Sequence, residues 1–439
     1  MAVRWRPSTV RGEGGRLMTI ERPATLAAGT DSIILLTQYY PPEPGAAAVR
    51  LQAMARELAA MGWCVKVVTA FPHHLGYRDP RYRGRLFSRE HDGPVEVVRT
   101  WVWVVPTGRF WRRLLNYFSF VATSLVGLWI AGRSTYILVE SPPLFLGLSA
   151  YLYSRWRRIP YILSVSDLWP DSAVALGLVT SPSLIRSARR LEHFLYRQAY
   201  CVSVVTQGIR DAILATGLVP SSRILFAPNG VYPDQYPPTL PDPSFRQSLG
   251  LGERAVYLYP GTLGYAQGLE VVVEAADILS DRGLGDQVVF LLVGDGPVRG
   301  ALEDDVAARG LEDMVRFAGL QSQESMPPYF GLARAVVVPL RNHPLFRGAR
   351  PSKAFPAWAA GVPVIFSGEG EMAGVVEASG AGVTVPPGDA QALADAVAAN
   401  LALDEEDCRR LGERGRTFVE TEYAWPRIMH EWVKGLKTV

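Results

Sequence analysis

Short apolar runs and amphipathic stretches alternate along this chain from Ser32 onward. Ile33–Thr37 reads as a strand, a loop rich in Pro and Gly follows, Ala47–Met61 carries apolar residues at helical spacing, and Val65–Thr69 reads as a second strand. That order is a βαβ opening. Apolar runs at Val95–Arg99, Tyr136–Val139, Tyr161–Val165 and Cys201–Val205 continue it, as in a mostly parallel sheet covered on both faces. Pro228–Pro243 breaks the rhythm with clustered prolines, a composition suited to an inter-domain hinge. Beyond it, Ala255–Tyr259, Val288–Val293, Val315–Phe317, Ala335–Val338, Val362–Phe366 and Gly382–Val385 predict further strands between helices. The last helix, about Trp425–Lys437, puts Trp425, Ile428, Met429 and Trp432 on one face.

These patterns predict a loose tail over residues 1–30, without periodicity and without the continuous apolar core of a signal peptide, and with Met18 as an alternative start. One α/β domain over 31–235 and a second over 236–420 follow, then a terminal helix over 421–439. Length agrees: 439 residues, 48% of them hydrophobic, exceed one ordinary core, and two domains of about 200 residues each are the expectation. The composition is not that of a disordered chain. Cys64, Cys201 and Cys408 have no metal-ligand spacing and fall in segments that read as buried or helical, which predicts a reduced cytoplasmic protein.

The net charge of +3 hides an asymmetry, because residues 1–230 hold 27 Lys+Arg against 14 Asp+Glu and the remainder 18 against 28. Arginines gather at Arg78, Arg81, Arg83, Arg85 and Arg89 and again at Arg109, Arg112 and Arg113. Anionic lipid headgroups or an anionic acceptor are the natural partners, the alternative being a solvated basic face. No recognised nucleic-acid-binding motif accompanies the charge, so nucleic acid is not an expected partner. Next to these arginines lies Leu114–Ala131, eighteen residues without a charge. Its length permits a transmembrane span, and a buried helix of an α/β domain has the same composition. The preferred reading is a helix partly dipping into a bilayer, with Phe110, Trp111, Tyr117 and Phe118 beside arginines. Leu144–Tyr153, followed by Arg155, Arg157 and Arg158, offers a second contact.

Candidate chemistry concentrates at Pro351–Ile365, where Lys353 stands in a turn before a short helix that leads into a buried strand. A cation beside free helix-start N–H groups suits a phosphate. Pro356 fits the first helical position, leaving Lys353 in the preceding loop. Phe290–Pro297 reads as strand, glycine turn and helix, so the C-terminal half alternates as a nucleotide-binding sheet does. Arg347 and Arg350 either add charge beside Lys353 or are plain surface arginines. Asp167, in the turn Ser166-Asp167-Leu168-Trp169-Pro170, either orients an acceptor hydroxyl or caps the turn. His73 and His74 are adjacent loop histidines and weaker candidates, and no metal-ligand constellation is visible.

The segments "VGDGP", "FAGL", "PSK" and "AAGVPVI", in this order, resemble the C-terminal domain of the family 4 retaining glycosyltransferases. "LLTQYYPPEPGAAAVR", "ELAAMGWCVKVVTAFP" and "VSDLWPDSAVALG" resemble the N-terminal domain of its O-antigen and exopolysaccharide branch. The resemblance spans roughly residues 32 to 435. It implies an α/β, GT-B-like fold: two Rossmann-type domains with parallel sheets facing across a cleft, donor on the C-terminal side and acceptor on the N-terminal side. The terminal helix is implied to pack back on the N-terminal domain.

The same resemblance assigns Lys353 and Ser352 to the donor diphosphate. It assigns the turn Gly261-Thr262-Leu263-Gly264 to the donor phosphates, which small residues let backbone amides approach. Tyr265, Ala266 and Gln267 stand where relatives often add a basic residue. Gly45 belongs to a loop that cradles the phosphate from the other domain, although Ala46-Ala47-Ala48 replace the glycines common there. Gly319 and Leu320 match a turn that holds the nucleobase by main-chain contacts, or form an ordinary β-to-α turn. Two glutamates, eight positions apart, that many relatives use on the sugar and ribose project onto Gly348 and Pro356, so neither carboxylate is present.

The implied activity is retaining hexosyl or N-acetylhexosaminyl transfer from a nucleotide sugar, a UDP-sugar first, to a lipid-linked saccharide or other hydroxyl acceptor. No cofactor or metal is required, and the implied place is the cytoplasmic side of an anionic plasma membrane, in peripheral contact. A small-molecule tailoring transferase and a catalytically silent nucleotide-binding homologue are the alternatives, the second motivated by the missing glutamates.

Overall fold

Strands such as SIILL at Ser32–Leu36 and VVFLLV at Val288–Val293 have no polar face, and every residue in them is buried. A strand of that kind is stable only with helices on both sides. The computed structural model describes residues 31–439 apart from 44, 74–78, 105–109, 176 and 178. The predicted tail with Met18, and His74, Arg78 and Arg109, lie outside the described residues, as do the side chains of Phe110, Trp111 and Arg113.

The first sheet holds β1 (Ser32–Leu36), β2 (Cys64–Ala70), β3 (Phe87–Asp92), β4 (Val95–Thr100), β5 (Tyr136–Ser141), β6 (Tyr161–Val165), β7 (Cys201–Val204) and β8 (Ile224–Phe226). Their order is β3-β4-β2-β1-β5-β6-β7-β8, parallel throughout except for the β3–β4 hairpin. The second sheet holds β9 (Ala255–Pro260), β10 (Val288–Val293), β11 (Val315–Gly319), β12 (Ala333–Pro339), β13 (Val364–Ser367) and β14 (Gly382–Val385), in the all-parallel order β11-β10-β9-β12-β13-β14. Both are doubly wound sheets of Rossmann type, the α/β class that the alternating pattern predicts.

Alternate residues of β1 divide between two cores. Ile34 and Leu36 join Phe120 and Leu128 of the Phe110–Ala131 helix, while Ile33 and Leu35 join Leu51 and Met54 of the Ala46–Ala60 helix. A Cβ at Gly127 would lie 2.7 Å from Val68 Cγ1, so glycine lets the long helix rest directly on the sheet. The helix Trp425–Leu436 buries Trp425, Ile428, Met429, Trp432, Val433 and Leu436 as one stripe, in the core shared by Ala46–Ala60 and β8. The chain crosses between the sheets twice, side by side: Val231 N–H donates to the Tyr423 carbonyl at 2.9 Å and Trp425 N–H to the Val231 carbonyl at 3.2 Å.

Several expectations change. β3 carries the polar sequence FSREHD with no buried residue, and β8 is three residues long, so neither has an apolar run to announce it. β13 begins at Val364 because the Val362 N–H turns back to the Ala357 carbonyl. Cys64, expected in a buried segment, is exposed at the first position of β2. Pro356 is the third residue of the Ala354–Ala359 helix, not the first, and Lys353 itself caps that helix.

Trp432 is almost fully buried and its Nε1 donates to Ser203 Oγ at 3.0 Å. Trp432→Ala should lower stability by about 3–5 kcal/mol through lost packing, and Trp432→Phe by much less. Urea unfolding followed by circular dichroism will show the difference as two distinct midpoint shifts.

Candidate active site between the two sheets

Doubly wound sheets bind ligands beyond the carboxyl ends of their strands, at the point where the strand order reverses. In the second sheet that point lies between β9 and β12. β9 ends at Tyr259, Pro260 and the Gly261 turn, and Lys353 arrives there from the helix Ala354–Ala359. Lys353 Nζ donates to the Tyr259 hydroxyl at 2.7 Å and stands 4.0 Å from the centroid of its ring. The Tyr259 hydroxyl donates onward to the Thr262 carbonyl at 2.6 Å. At Gly294, with φ 153, a Cβ would fall 1.9 Å from the Gly261 carbonyl oxygen, so only glycine lets the turns after β9 and β10 meet.

Part of Lys353 remains open to solvent, yet its amine is desolvated and no charged group near it offsets the loss. Burial therefore pushes its pKa down to about 7. An ammonium in that condition is stabilised by any anion placed against it, which is the chemistry a diphosphate supplies.

The rest of the donor-side set divides. Gly261 lies 3.4 Å, measured from its Cβ position, from Lys353 Cε. The Leu263 side chain is in the core, its N–H donates to Asp295 and its carbonyl accepts from Val298, so this residue shapes the turn and has no amide to offer a phosphate. Gly264 packs against Gln267, whose Oε1 is 2.7 Å from its Cβ position. Ser352 adjoins Lys353, and its carbonyl accepts from Phe355. Gly319 ends β11 at φ 71 and Leu320 beside it is exposed. Arg299, absent from the sequence-based set, comes within 3.9 Å of the Gly319 Cβ position and pairs with Glu303 at 2.7 Å.

Arg347 and Arg350 are not brought to Lys353's task. Arg347 is exposed and pairs with Glu369 at 2.7 Å. Arg350 pairs with Glu371 at 2.5 Å, donates to the Tyr423 hydroxyl at 3.2 Å and lies 5.3 Å from the Phe226 ring centroid. It is a brace between the halves, because Glu371 also accepts the Gln207 and Gly208 N–H groups, each at 2.8 Å. Beside this contact, a Cβ on Gly348 would lie 2.9 Å from Gly208 Cα, and one on Gly208 only 2.4 Å from Gly348 Cα. The first missing glutamate thus has a steric reason: no side chain fits at Gly348 in this arrangement.

The first sheet reverses between β1 and β5. Glu140 of β5, 1% exposed, accepts from Arg50 and, at 2.6 Å, from Ser166 Oγ. Gln38, just past β1, donates to Asn116 Oδ1 at 2.6 Å and faces His73 Nε2 at 3.2 Å, while the His73 N–H donates to Glu43. Asp167 follows Ser166; burial raises its pKa although the Ser172 hydroxyl and the Leu168 N–H both stabilise its carboxylate. It is therefore a turn cap and a desolvated acid at once. The helix after it, Asp171–Ala175, touches the Pro344–Gly348 turn of the other half. Gly45, at φ 120 with nothing within 4 Å of its Cβ position, opens the Ala46–Ala60 helix at this same edge. Glu140 and Arg50 were missed from the sequence, although a lone carboxylate inside the apolar run YILVES is itself a signal. Among the described residues no three His, Cys, Asp or Glu side chains gather as a metal site needs.

Residues 242–418 match the family model described as Glycosyl transferases group 1, and residues 45–230 the one described as Glycosyl transferase 4-like domain. The chain is 26% identical over 397 residues to an alpha-D-kanosaminyltransferase of Streptomyces kanamyceticus, spanning 85% of this chain and 95% of that one. It is 27% identical over 375 residues to the putative colanic acid biosynthesis glycosyl transferase WcaI of Escherichia coli, spanning 82% and 90%. Over 303 residues it is 29% identical to a GDP-mannose-dependent phosphatidylinositol monomannoside mannosyltransferase of Mycobacterium tuberculosis, spanning 62% and 76%. Among solved structures, sucrose-phosphate synthase of Thermosynechococcus elongatus superimposes with a TM-score of 0.73 at 23% identity, covering 93% of this chain and 98% of that one. Anabaena HepE in complex with UDP and glucose gives 0.69 at 18%, covering 93% and 99%. These likenesses show the GT-B fold.

The depressed Lys353 pKa sets a pH dependence with a definite sign. Below about 7 the amine is charged and ready; above it, binding an anion must also take up a proton. Affinity for UDP should fall by up to about tenfold per pH unit between about pH 8 and 9, above the titration of the terminal phosphate and below that of the uracil ring. Calorimetry in buffers of different ionisation enthalpy should register uptake of close to one proton, and Lys353→Arg should abolish it.

Proposed function

The chain belongs to the GT-B glycosyltransferases of the family 4 type, and we propose that it moves a hexosyl or N-acetylhexosaminyl group from a UDP-sugar to a hydroxyl of a lipid-linked saccharide, with retention. The carrying observation is the Lys353 amine, desolvated and without a carboxylate at the strand-order reversal of the donor-side sheet. As the donor's glycosidic bond breaks, charge grows on the departing diphosphate, and a preorganised cation there is stronger in the transition state than in the ground state. The Gly261 turn adjoins it, and the Gly319 turn, with Arg299 beside it, lies two strands away at the same carboxyl edge. Front-face departure and attack fit a site in which Gly348 offers no nucleophilic carboxylate. Asp167, with Ser166 held by Glu140, is the group to orient the acceptor hydroxyl from the opposite side. UDP as the donor nucleotide rests on the fold neighbour solved with UDP and glucose, while a relative named as GDP-mannose-dependent makes GDP the competitor to test.

Relatives include enzymes named for a small molecule, 2-deoxystreptamine, and for polysaccharide or lipid substrates. The face of the first domain favours the lipid. One helix, Phe110–Ala131, contains an eighteen-residue window long and apolar enough to cross a membrane, 39% of it buried in the fold. Leu115, Phe118, Val126 and Trp129 face outward from it, joined by Leu152 and Trp156 of the Leu146–Arg157 helix and by Trp101 and Trp103. Arg112, Arg133, Arg155 and Arg158 are exposed around them. Between residues 97 and 166 the one acidic residue is Glu140, which is buried, against eight arginines. Aromatic and apolar side chains rimmed by arginine suit the interface of an anionic leaflet, here the cytoplasmic one, with the helix lying in the plane.

Lys353→Ala should leave the fold intact and reduce transfer by roughly 30- to 1000-fold, the effect of about 2 to 4 kcal/mol of lost transition-state stabilisation. Lys353→Arg should restore part of it. Mass spectrometry of products from UDP- and GDP-sugar panels is the measurement, and wild-type turnover in a folded Lys353→Ala protein refutes the assignment.

Sedimentation with vesicles of phosphatidylglycerol and phosphatidylethanolamine should show binding that weakens at high salt. Trp129→Ser with Trp156→Ser should weaken it further. Equal partitioning into neutral vesicles would remove the electrostatic part of the membrane reading.

A further inference from the structure

Three aromatic rings form one continuous run along the carboxyl edge of the first sheet. Phe118 and Phe145 have centroids 4.7 Å apart, and Phe145 and Trp169 5.5 Å. They come from three successive parts of the chain: Phe118 from the Phe110–Ala131 helix, Phe145 four residues beyond β5, and Trp169 four residues beyond β6. None is fully buried, and Phe118 is 46% exposed. At its outer end the run joins the apolar face through Leu115, one helical turn from Phe118. At its inner end Trp169 stands two residues from Asp167, and the helix that follows meets the Pro344–Gly348 turn of the donor half.

Trp169 also packs against the first domain's core, but Phe145 and Phe118 continue the strip from it into solvent, away from the turn bearing a desolvated carboxyl group. An amphiphile with its head at Asp167 and its chain leaving toward the bilayer requires such a strip. Flat aromatic faces bind an apolar chain without fixing its register, so one strip admits chains of different length. Along the strip itself, between residues 97 and 166, no exposed acidic residue faces the chain; at the head end stand Asp167, whose carboxyl is held toward its neutral form by burial, and Asp171, which Arg189 pairs at 2.9 Å.

We propose that Phe118, Phe145 and Trp169 bind the head-proximal part of the apolar chain of a phosphate-linked lipid acceptor and so lead its sugar from the membrane face into the cleft. The proposal rests on the lipid-acceptor reading above. Its rings are separate from the donor site at Lys353, and the two can be tested apart.

The probe is farnesyl diphosphate, a soluble chain on an anionic head, with inorganic diphosphate as the head alone. Equilibrium dialysis uses the full chain with saturating UDP, so that the donor site is occupied. The wild type should bind farnesyl diphosphate at least about tenfold more tightly than diphosphate. Phe145→Ala and Trp169→Ala should each weaken farnesyl diphosphate by about tenfold and leave UDP affinity and vesicle binding as they were. Phe118→Ser changes an already exposed ring and keeps the test alive if either inner variant misfolds; it should weaken the probe in the same direction.

Equal affinity for the two probes in the wild type, or wild-type affinity for farnesyl diphosphate in folded ring variants, would overturn the strip. A wild type that glycosylates lipid-linked acceptors while all three variants keep full affinity and unchanged KM for them would overturn the strip alone. Ring-dependent farnesyl diphosphate binding in a wild type that glycosylates only soluble acceptors would support the strip and overturn the lipid-acceptor reading instead.

Discussion

Glu371 sends one carboxylate oxygen to the amide of Gln207 and the other to that of Gly208, while Arg350 closes on it from its own half. The two amides open the helix Gln207–Ala215, whose next N–H is already taken by the Thr206 hydroxyl. A negative charge at a helix start is favoured by the free N–H groups and the helix dipole together. Both charged side chains are about nine-tenths shielded, so the attraction is little screened by salt. This contact explains the glycines beside it. With Gly208 and Gly348 backbone against backbone, neither position tolerates a Cβ, and the segment leading to Lys353 is held at a fixed distance from the acceptor-side sheet.

The same contact accounts for how few cations remain for the donor. Sequence order places Arg347, Arg350 and Lys353 within seven residues, which suggests one cluster of positive charge. Glu369 neutralises the first and Glu371 the second. Lys353 alone is left without an anion, and it is also the one whose burial lowers its pKa. A cluster of three unpaired cations would repel itself and need no ligand-linked protonation. One cation in a dry corner, resting on the Tyr259 ring, has a vacancy for charge that only an incoming anion fills.

The sequence made the architecture legible because buried parallel strands are unbroken apolar runs and the turns between them are marked by Gly and Pro. β3 escaped notice since an edge strand facing solvent, FSREHD, has no such run. The position of Lys353 was legible from its place before a short helix and a buried strand. Its partner Tyr259 was not, since the two are 94 residues apart and meet only through sheet order. Sequence left Arg347 and Arg350 between two roles for the same reason: it shows charges in a row but not the carboxylates that fold back onto them. The bonding of the Leu263 amide to Asp295 was not legible either, because a turn between two glycines suggests open amides.

Charge asymmetry and sheet topology constrain one another in this molecule. A sheet whose strands all end at one edge gathers its binding residues there, and the helices that return along its face begin at that edge too. The Phe110–Ala131 helix is such a helix: Asn116 in its second turn bonds Gln38 just past β1, and its far end reaches the other side of the sheet. A helix about 33 Å long in that orientation keeps its first turns at the cleft and leaves Leu115, Phe118, Val126 and Trp129 exposed along its side. On the proposed membrane reading, the surplus of arginine in this half would draw it toward an anionic leaflet, and the acidic surplus of the donor half, 28 Asp+Glu against 18 Lys+Arg, would keep that half in water. In the proposed function a water-soluble anionic donor and a membrane-held acceptor approach a single point from opposite sides. On the proposed function, the polarity of parallel strands and the division of charge between the halves would provide those two approaches.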